Sequence, residues 1–243
     1  MKKILFLLFL SMKLFAFQVG EELTFDLNYG IINAGQSTIK ISETVYRDSI
    51  KCLQIVSESR TNNFFDKIFK VRDKIESIWD LENFSYKFSK NLKEGKYRQR
   101  RIHFYYPAQK FSLYLKKDKK ATKFTETKIP IFGKTHDMLS GFYWMRLQRL
   151  IVGDTVFTNV TVDGKNYDAG IKVLRKEKIQ SIFGQTECLV LEPILKGDSI
   201  FKQSGKMLIW VTNDDNKIPL KIESKIIFGH FRATLKKVKN AFN

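Results

Sequence analysis

The stretch Leu23–Tyr29 reads LTFDLNY, and it sets the pattern for most of the chain. Leu23, Phe25, Leu27 and Tyr29 alternate with polar residues until Gly30 ends the run. A period of two places successive side chains on opposite faces of an extended backbone, so this stretch predicts a half-buried β-strand.

The same alternation recurs along the chain between turn residues, rich in Phe, Ile, Val and Thr. Asp163-Gly164 separates two such runs and is a strong signal for a tight hairpin. The pattern predicts a mainly β protein with a large curved antiparallel sheet or open barrel. The further predicted strands are Val71–Trp79, Phe84–Leu92, Lys96–Tyr106, Phe111–Leu115, Thr155–Val162, Ile171–Leu174, Glu187–Leu195, Lys206–Val211, Pro219–Phe228 and Phe231–Val238.

One segment breaks the period of two. Thr135–Leu150 reads THDMLSGFYWMRLQRL, and it carries Leu139, Tyr143 and Arg146 on one face at helical spacing. We expect one amphipathic helix packed on the sheet, with Thr135 as its N-cap. A short helical turn is predicted at Asn63–Lys70.

The N-terminus has the features of a secretory signal peptide. Lys2 and Lys3 precede the apolar run Ile4–Leu10, and Ala16 is a small residue at the predicted cleavage site. Residues 1–16 are therefore predicted to be removed and residues 17–243 to form a single β-rich exported domain in the periplasm or cell envelope. An uncleaved anchor is the alternative, although the run is shorter than the roughly 20 residues that span a bilayer.

Export bears on the two cysteines, Cys52 and Cys188. An oxidising compartment permits a disulfide between them. Each also lies in a strand-like segment, so two separate buried thiols are the other interpretation.

The basic residues are concentrated in one part of the chain. Lys and Arg number 43 against 25 Asp and Glu, a formal charge of +18, and residues 87–123 alone hold 13 basic and 2 acidic residues. The candidate binding residues are Lys96, Arg98, Arg100 and Arg101 on a strand and Lys116, Lys117, Lys119 and Lys120 around a hairpin tip.

Such a basic region predicts an anionic partner. In an exported protein the partners available are anionic lipid, lipopolysaccharide or an acidic envelope polymer, and export disfavours nucleic acid. The alternative is that these lysines protect exposed strand edges from aggregation.

Motifs for catalysis or metal binding are absent from the sequence. His103, His136 and His230 have no metal-ligand spacing, so no catalytic residue, cofactor or metal is predicted. Asp73 and Arg146 are each expected on an apolar face, where a lone charge is costly. We predict that they form a structural polar pair that docks the helix onto the sheet, or else a polar anchor in a ligand pocket.

Several of these segments together resemble a known family. Phe17–Phe25 (FQVGEELTF), Val71–Ser77 (VRDKIES), Ser140–Arg146 (SGFYWMR) and Ile209–Thr212 (IWVT) are similar in order to the exported family called domain of unknown function 3108. The resemblance implies a β-rich protein of bacterial envelopes and supplies no catalytic residues.

The expected function is non-enzymatic binding of a lipid or another anionic envelope component. A structural or assembly factor that binds another envelope protein is the alternative. An envelope hydrolase is least favoured, because it requires a cleft with convergent titratable groups.

Overall fold

The structure is a computed structural model, and it describes residues 16–80, 84–118, 120–196, 207–226 and 229–241. The described chain forms one fifteen-stranded sheet in the order β8-β7-β6-β5-β4-β3-β2-β1-β15-β14-β13-β12-β11-β10-β9. The strands are β1 (Glu22–Tyr29), β2 (Ile32–Tyr46), β3 (Ile50–Thr61), β4 (Arg72–Trp79), β5 (Ser85–Glu94), β6 (Tyr97–Tyr106), β7 (Phe111–Asp118), β8 (Thr125–Pro130), β9 (Thr135–His136), β10 (Thr155–Val162), β11 (Lys165–Ser181), β12 (Gly184–Leu195), β13 (Met207–Thr212), β14 (Pro219–Ile226) and β15 (Gly229–Lys239).

The sheet is an antiparallel meander in which strands adjacent in sequence pair with one another, with one break: β8 and β9 form the two edges of the sheet. β1 pairs with β15, so that Leu23 lies opposite Val238, and the β9–β10 pair is parallel. The two ends of the chain therefore meet in the middle of the sheet. An isolated parallel bridge between Phe84 and Thr135 brings the β9 edge back to the other half, so the open sheet is strongly curved.

The mainly β prediction is confirmed, and so is the hairpin at Asp163-Gly164. These two residues join β10 to β11 with φ values of 51° and 79°, the left-handed region that a tight hairpin turn requires. β8 was not predicted, because its side chains are almost all exposed and show no alternation. No helix in the described ranges is long and apolar enough to span a membrane.

The helix in the structure is shorter than the predicted segment Thr135–Leu150. α1 covers Asn63–Asp66 and α2 covers Met138–Arg146. Thr135 as the N-cap of α2 is wrong, since it belongs to β9. The cap is Asp137, whose carboxylate accepts hydrogen bonds from the backbone nitrogens of Leu139 (2.8 Å) and Ser140 (3.0 Å).

The apolar core lies between α2 and the sheet and continues along β12–β15. Tyr143 of α2 packs with Trp79, Ile55 and Phe88, which are fully buried on β3–β5. Phe17 joins this core with its ring edge-on to Tyr143 at 4.9 Å. The predicted signal peptide lies outside the described residues except for Ala16, which is buried beside Phe17.

Candidate binding surface

The basic segment forms the β6–β7 pair, and its register decides which cations reach solvent. Arg100 lies opposite Lys117, and Arg101 lies opposite Lys116. The Arg100 guanidinium and the Lys117 ammonium each lie 5.8 Å from the centroid of the Phe124 ring. Two cations thus share one aromatic ring on the outward face of the pair.

Arg98 continues this face toward the β5–β6 turn. Its guanidinium donates to the carbonyls of Gly95 (2.8 Å) and Tyr97 (2.6 Å) and remains exposed. Among the described acidic side chains, none lies within 4.0 Å of the predicted cations on this surface. We call five residues the exposed basic cluster: the exposed Lys96, Arg98, Arg100 and Lys120, and the half-buried Lys117 that lies opposite Arg100.

Three other predicted cations do not belong to the cluster. Arg101 is buried on the opposite face, because alternation turns it away from Arg100, and it pairs with Asp118 at 3.0 Å. Lys116 pairs with the same carboxylate at 3.3 Å. Lys119 lies outside the described residues.

The predicted pair of Asp73 and Arg146 is wrong. Arg146 is fully buried and pairs with Glu21, with Nη1–Oε1 at 2.6 Å and Nη2–Oε2 at 2.9 Å. Asp73 instead accepts a hydrogen bond from the Lys93 backbone nitrogen at 2.8 Å. The helix meets the other end of β4 near Trp79, six residues along the strand, roughly 20 Å away at strand spacing.

The Glu21–Arg146 pair anchors the C-terminal turn of α2. Arg146 also donates to the carbonyls of Ala16 (2.7 Å) and Asn216 (3.1 Å), and the Tyr143 hydroxyl donates to Glu21 at 3.1 Å. Every charged atom of the pair therefore has partners, as a buried ion pair requires.

A second polar group anchors the start of the helix. Asp137 is fully buried, and burial raises the pKa of its carboxyl despite the hydrogen bonds it accepts. Ser77 of β4 donates to Asp137 Oδ2 at 2.5 Å, and the Ser85 and Ser140 hydroxyls lie 2.7 Å apart. These side chains join α2 to β4 and β5.

His103 has a nearby serine but serves to fasten a hairpin. Its Nδ1 lies 2.7 Å from the Ser112 hydroxyl, while its Nε2 accepts the Gly164 backbone N–H at 3.2 Å. Both side chains are fully buried, and burial lowers the pKa of His103 to about 4. The ring thus holds the β10–β11 turn against β6 and β7, helped by Lys90–Asp163 at 2.5 Å.

The remaining chemistry-bearing residues are dispersed and buried. Cys52 and Cys188 are two separate buried thiols, so they do not form the disulfide, and burial raises the pKa of each to about 11. Burial also lowers the pKa of His136 to about 4. In the described part of the chain, no three His, Cys, Asp or Glu side chains are grouped to hold a metal ion.

The chain is similar to a known protein family. A family model described as protein of unknown function (DUF3108) matches residues 24–236. The chain belongs to this family. No curated protein matches this DUF3108 chain.

A solved structure shares the fold. A β-barrel-like protein of domain of unknown function DUF1849 from Brucella abortus has a TM-score of 0.59 at 10% identity, covering 93% of this chain and 98% of that one. A candidate exported protein with a YmcC-like fold from Bacteroides fragilis, with the same identity and coverage, scores 0.33. At such identity the Brucella structure supports the fold alone, and the lower score supports no inference.

Sequence reasoning missed Glu21, Asp137 and His103. Glu21 lies in a Gly-acid turn before β1, which is usually solvated. Asp137 follows the predicted cap Thr135 by two residues, and the sequence pattern gives no partner for the ring of His103. Alternation places His103 on the same face of β6 as Arg101 and Tyr105, and the structure shows that this face is buried.

Proposed function

We propose that this protein is an exported, non-enzymatic envelope protein that binds an anionic lipid or another anionic envelope component. The observation that carries the proposal is the exposed basic cluster, in which four of the five cations are exposed and none has an acidic partner among the described residues. Guanidinium and ammonium groups that are not neutralised by an internal carboxylate keep their charge available to phosphate or carboxylate groups.

The buried titratable groups support a binding role over catalysis. His103, His136 and Asp137 have almost no exposed surface. His103 and Asp137 are also held by internal hydrogen bonds, so neither faces a cleft in which a substrate could meet it.

The test compares two variants of equal charge change. Arg98→Gln/Arg100→Gln/Lys117→Gln removes three cluster cations, and Lys51→Gln/Lys172→Gln/Lys178→Gln removes three exposed lysines elsewhere. Binding of mature protein to phosphatidylglycerol vesicles, lipopolysaccharide and an acidic polysaccharide is measured over a range of salt concentrations. Each cluster cation is expected to contribute about fivefold in affinity, because a cation near an anionic surface contributes roughly 1 kcal/mol.

Two outcomes contradict the proposal. One is equal loss of affinity in both variants, which assigns the effect to net charge alone. The other is the absence of salt-sensitive binding to any of the three anionic materials. Fractionation of the producing cells, with the intact mass of the product, tests the export and the cleavage after Ala16.

A second candidate, an assembly factor that binds another envelope protein, is favoured by β8. This strand forms one edge of the sheet and is almost wholly exposed. An exposed edge can accept a strand from a partner. Thr127→Pro removes one backbone N–H donor from β8, so it should abolish capture of such a partner, while the triple cluster variant should retain it.

A further inference from the structure

Large apolar side chains are exposed on two connections in the β1–β8 half of the sheet. Ile31 is 101% exposed and Ile32 52% exposed at the β1–β2 turn. Phe64, Ile68 and Phe69 are 64%, 68% and 51% exposed between β3 and β4. We call these five residues the apolar rim.

The topology places the two connections at the same end of the sheet. In an antiparallel meander, alternate connections lie at one end, which also holds the β5–β6 and β7–β8 turns. Residues beside the two connections are in contact, since the Asn62 side-chain amide donates to the Asn33 carbonyl at 2.7 Å. The Gly95 nitrogen donates to the Lys70 carbonyl at 2.8 Å.

The ring of Phe69 also lies against the β5–β6 turn. A Cβ atom added at Gly95 would come within 2.7 Å of the Phe69 ring. Phe69 thereby connects the apolar rim to the turn that carries Lys96 of the exposed basic cluster.

Two cations flank part of the apolar rim. Lys67 and Lys70 stand on either side of Ile68 and Phe69 in the exposed segment after α1. The acidic residue just before them, Asp66 at the end of α1, is paired with Arg72, with Nη1–Oδ1 at 2.9 Å. The Arg72 guanidinium holds the pKa of Asp66 at about 2, so this acid stays ionised and paired.

We propose that the apolar rim inserts into the surface of an anionic lipid bilayer while the adjacent lysines contact its headgroups. The inference rests on the proposed function and names the bilayer itself as the anionic component. Exposed apolar groups interleaved with cations match the interface of a membrane, where apolar side chains enter the acyl boundary and cations meet anionic phosphates. The two signals act together, as stable peripheral binding requires.

The exposure of the rim makes a clean substitution possible. Phe64→Ser/Ile68→Ser removes two rim side chains that fill no core, and Phe132→Ser/Ile151→Ser removes the same residue types from exposed positions outside the rim. Both variants should retain the far-ultraviolet circular dichroism and melting temperature of the unsubstituted protein.

The assay is co-sedimentation with vesicles of phosphatidylcholine alone or mixed with phosphatidylglycerol. The rim variant should lose at least tenfold in affinity for the anionic vesicles, because two side chains no longer leave water, and the control should stay within about twofold. In separate variants, Phe64→Trp should shift its emission to the blue and be quenched by brominated lipid, whereas Phe132→Trp should not.

The outcomes separate this proposal from the one on which it rests. Normal vesicle binding by the rim variant, with loss in the triple cluster variant, overturns insertion and leaves anionic binding standing. Binding to lipopolysaccharide or acidic polysaccharide without binding to vesicles does the same. If the protein binds neither the anionic vesicles, nor lipopolysaccharide, nor the acidic polysaccharide, both proposals are overturned.

Discussion

Neutralising Glu21 tests whether α2 is held by one buried ion pair. Glu21 and Arg146 are both fully buried, and the guanidinium contacts the carboxylate through two hydrogen bonds. Glu21→Gln keeps the size and one acceptor of the side chain but leaves the Arg146 charge uncompensated in the core.

The expected loss of stability follows from leaving the buried Arg146 charge without its partner. Breaking a buried ion pair by removing one charge costs about 3–5 kcal/mol. For a protein of this size, 1 kcal/mol corresponds to roughly 2–4 °C, so the melting temperature should fall by about 6–20 °C. The assay is thermal and urea unfolding followed by tryptophan fluorescence.

Glu22→Gln is the matched control, because the adjacent carboxylate makes only surface pairs with Lys40 (3.3 Å) and Lys239 (3.4 Å). Such pairs contribute about 0–1 kcal/mol. If Glu21→Gln costs no more than Glu22→Gln, the ion pair does not hold the helix and the argument fails.

Further predictions concern His103, the two cysteines and Gly164. The free energy of unfolding should fall by roughly 3 kcal/mol as pH drops from about 6.5 to about 4, because His103 takes up a proton in the unfolded chain but stays neutral when buried in the folded protein. Urea titrations across this pH range check it, and an equal pH dependence in His103→Gln would contradict it. Cys52 and Cys188 should both resist a thiol reagent in the native protein and both react in denaturant without reductant, and one reactive thiol in the native state refutes their burial. Gly164→Ala should lower the free energy of unfolding in urea titrations by about 1–3 kcal/mol more than Gly133→Ala does. Both glycines have positive φ, but only at Gly164 would an added Cβ lie 2.9 Å from the Tyr114 ring.

The strands were predictable because burial of one face imposes a period of two. The alternation at β1 and β10, and the turn at Asp163-Gly164, are local properties of the sequence. β8 was not predictable in this way, because an exposed edge strand has no buried face and therefore no alternation of apolar and polar residues.

The polar partners were less predictable, because they depend on distant contacts. The sequence indicated that Arg146 needs an acid, but Glu21 lies 125 residues away, in a turn that reads as solvated. Alternation separated Arg100 from Arg101, yet it could not say which face is covered. That depended on the curvature of the sheet and on Asp118.

The pairing of β1 with β15 has a consequence for the order in which the sheet assembles. β1 is made first, yet one of its edges stays without its partner until the last strand exists, since Leu23 lies opposite Val238. Closing a loop of roughly 200 residues costs about 3.5 kcal/mol more than closing a four-residue turn. The sheet therefore cannot be completed from the N-terminus onward, and a chain truncated before β15 should expose the Leu23 and Phe25 strand as an aggregation-prone edge.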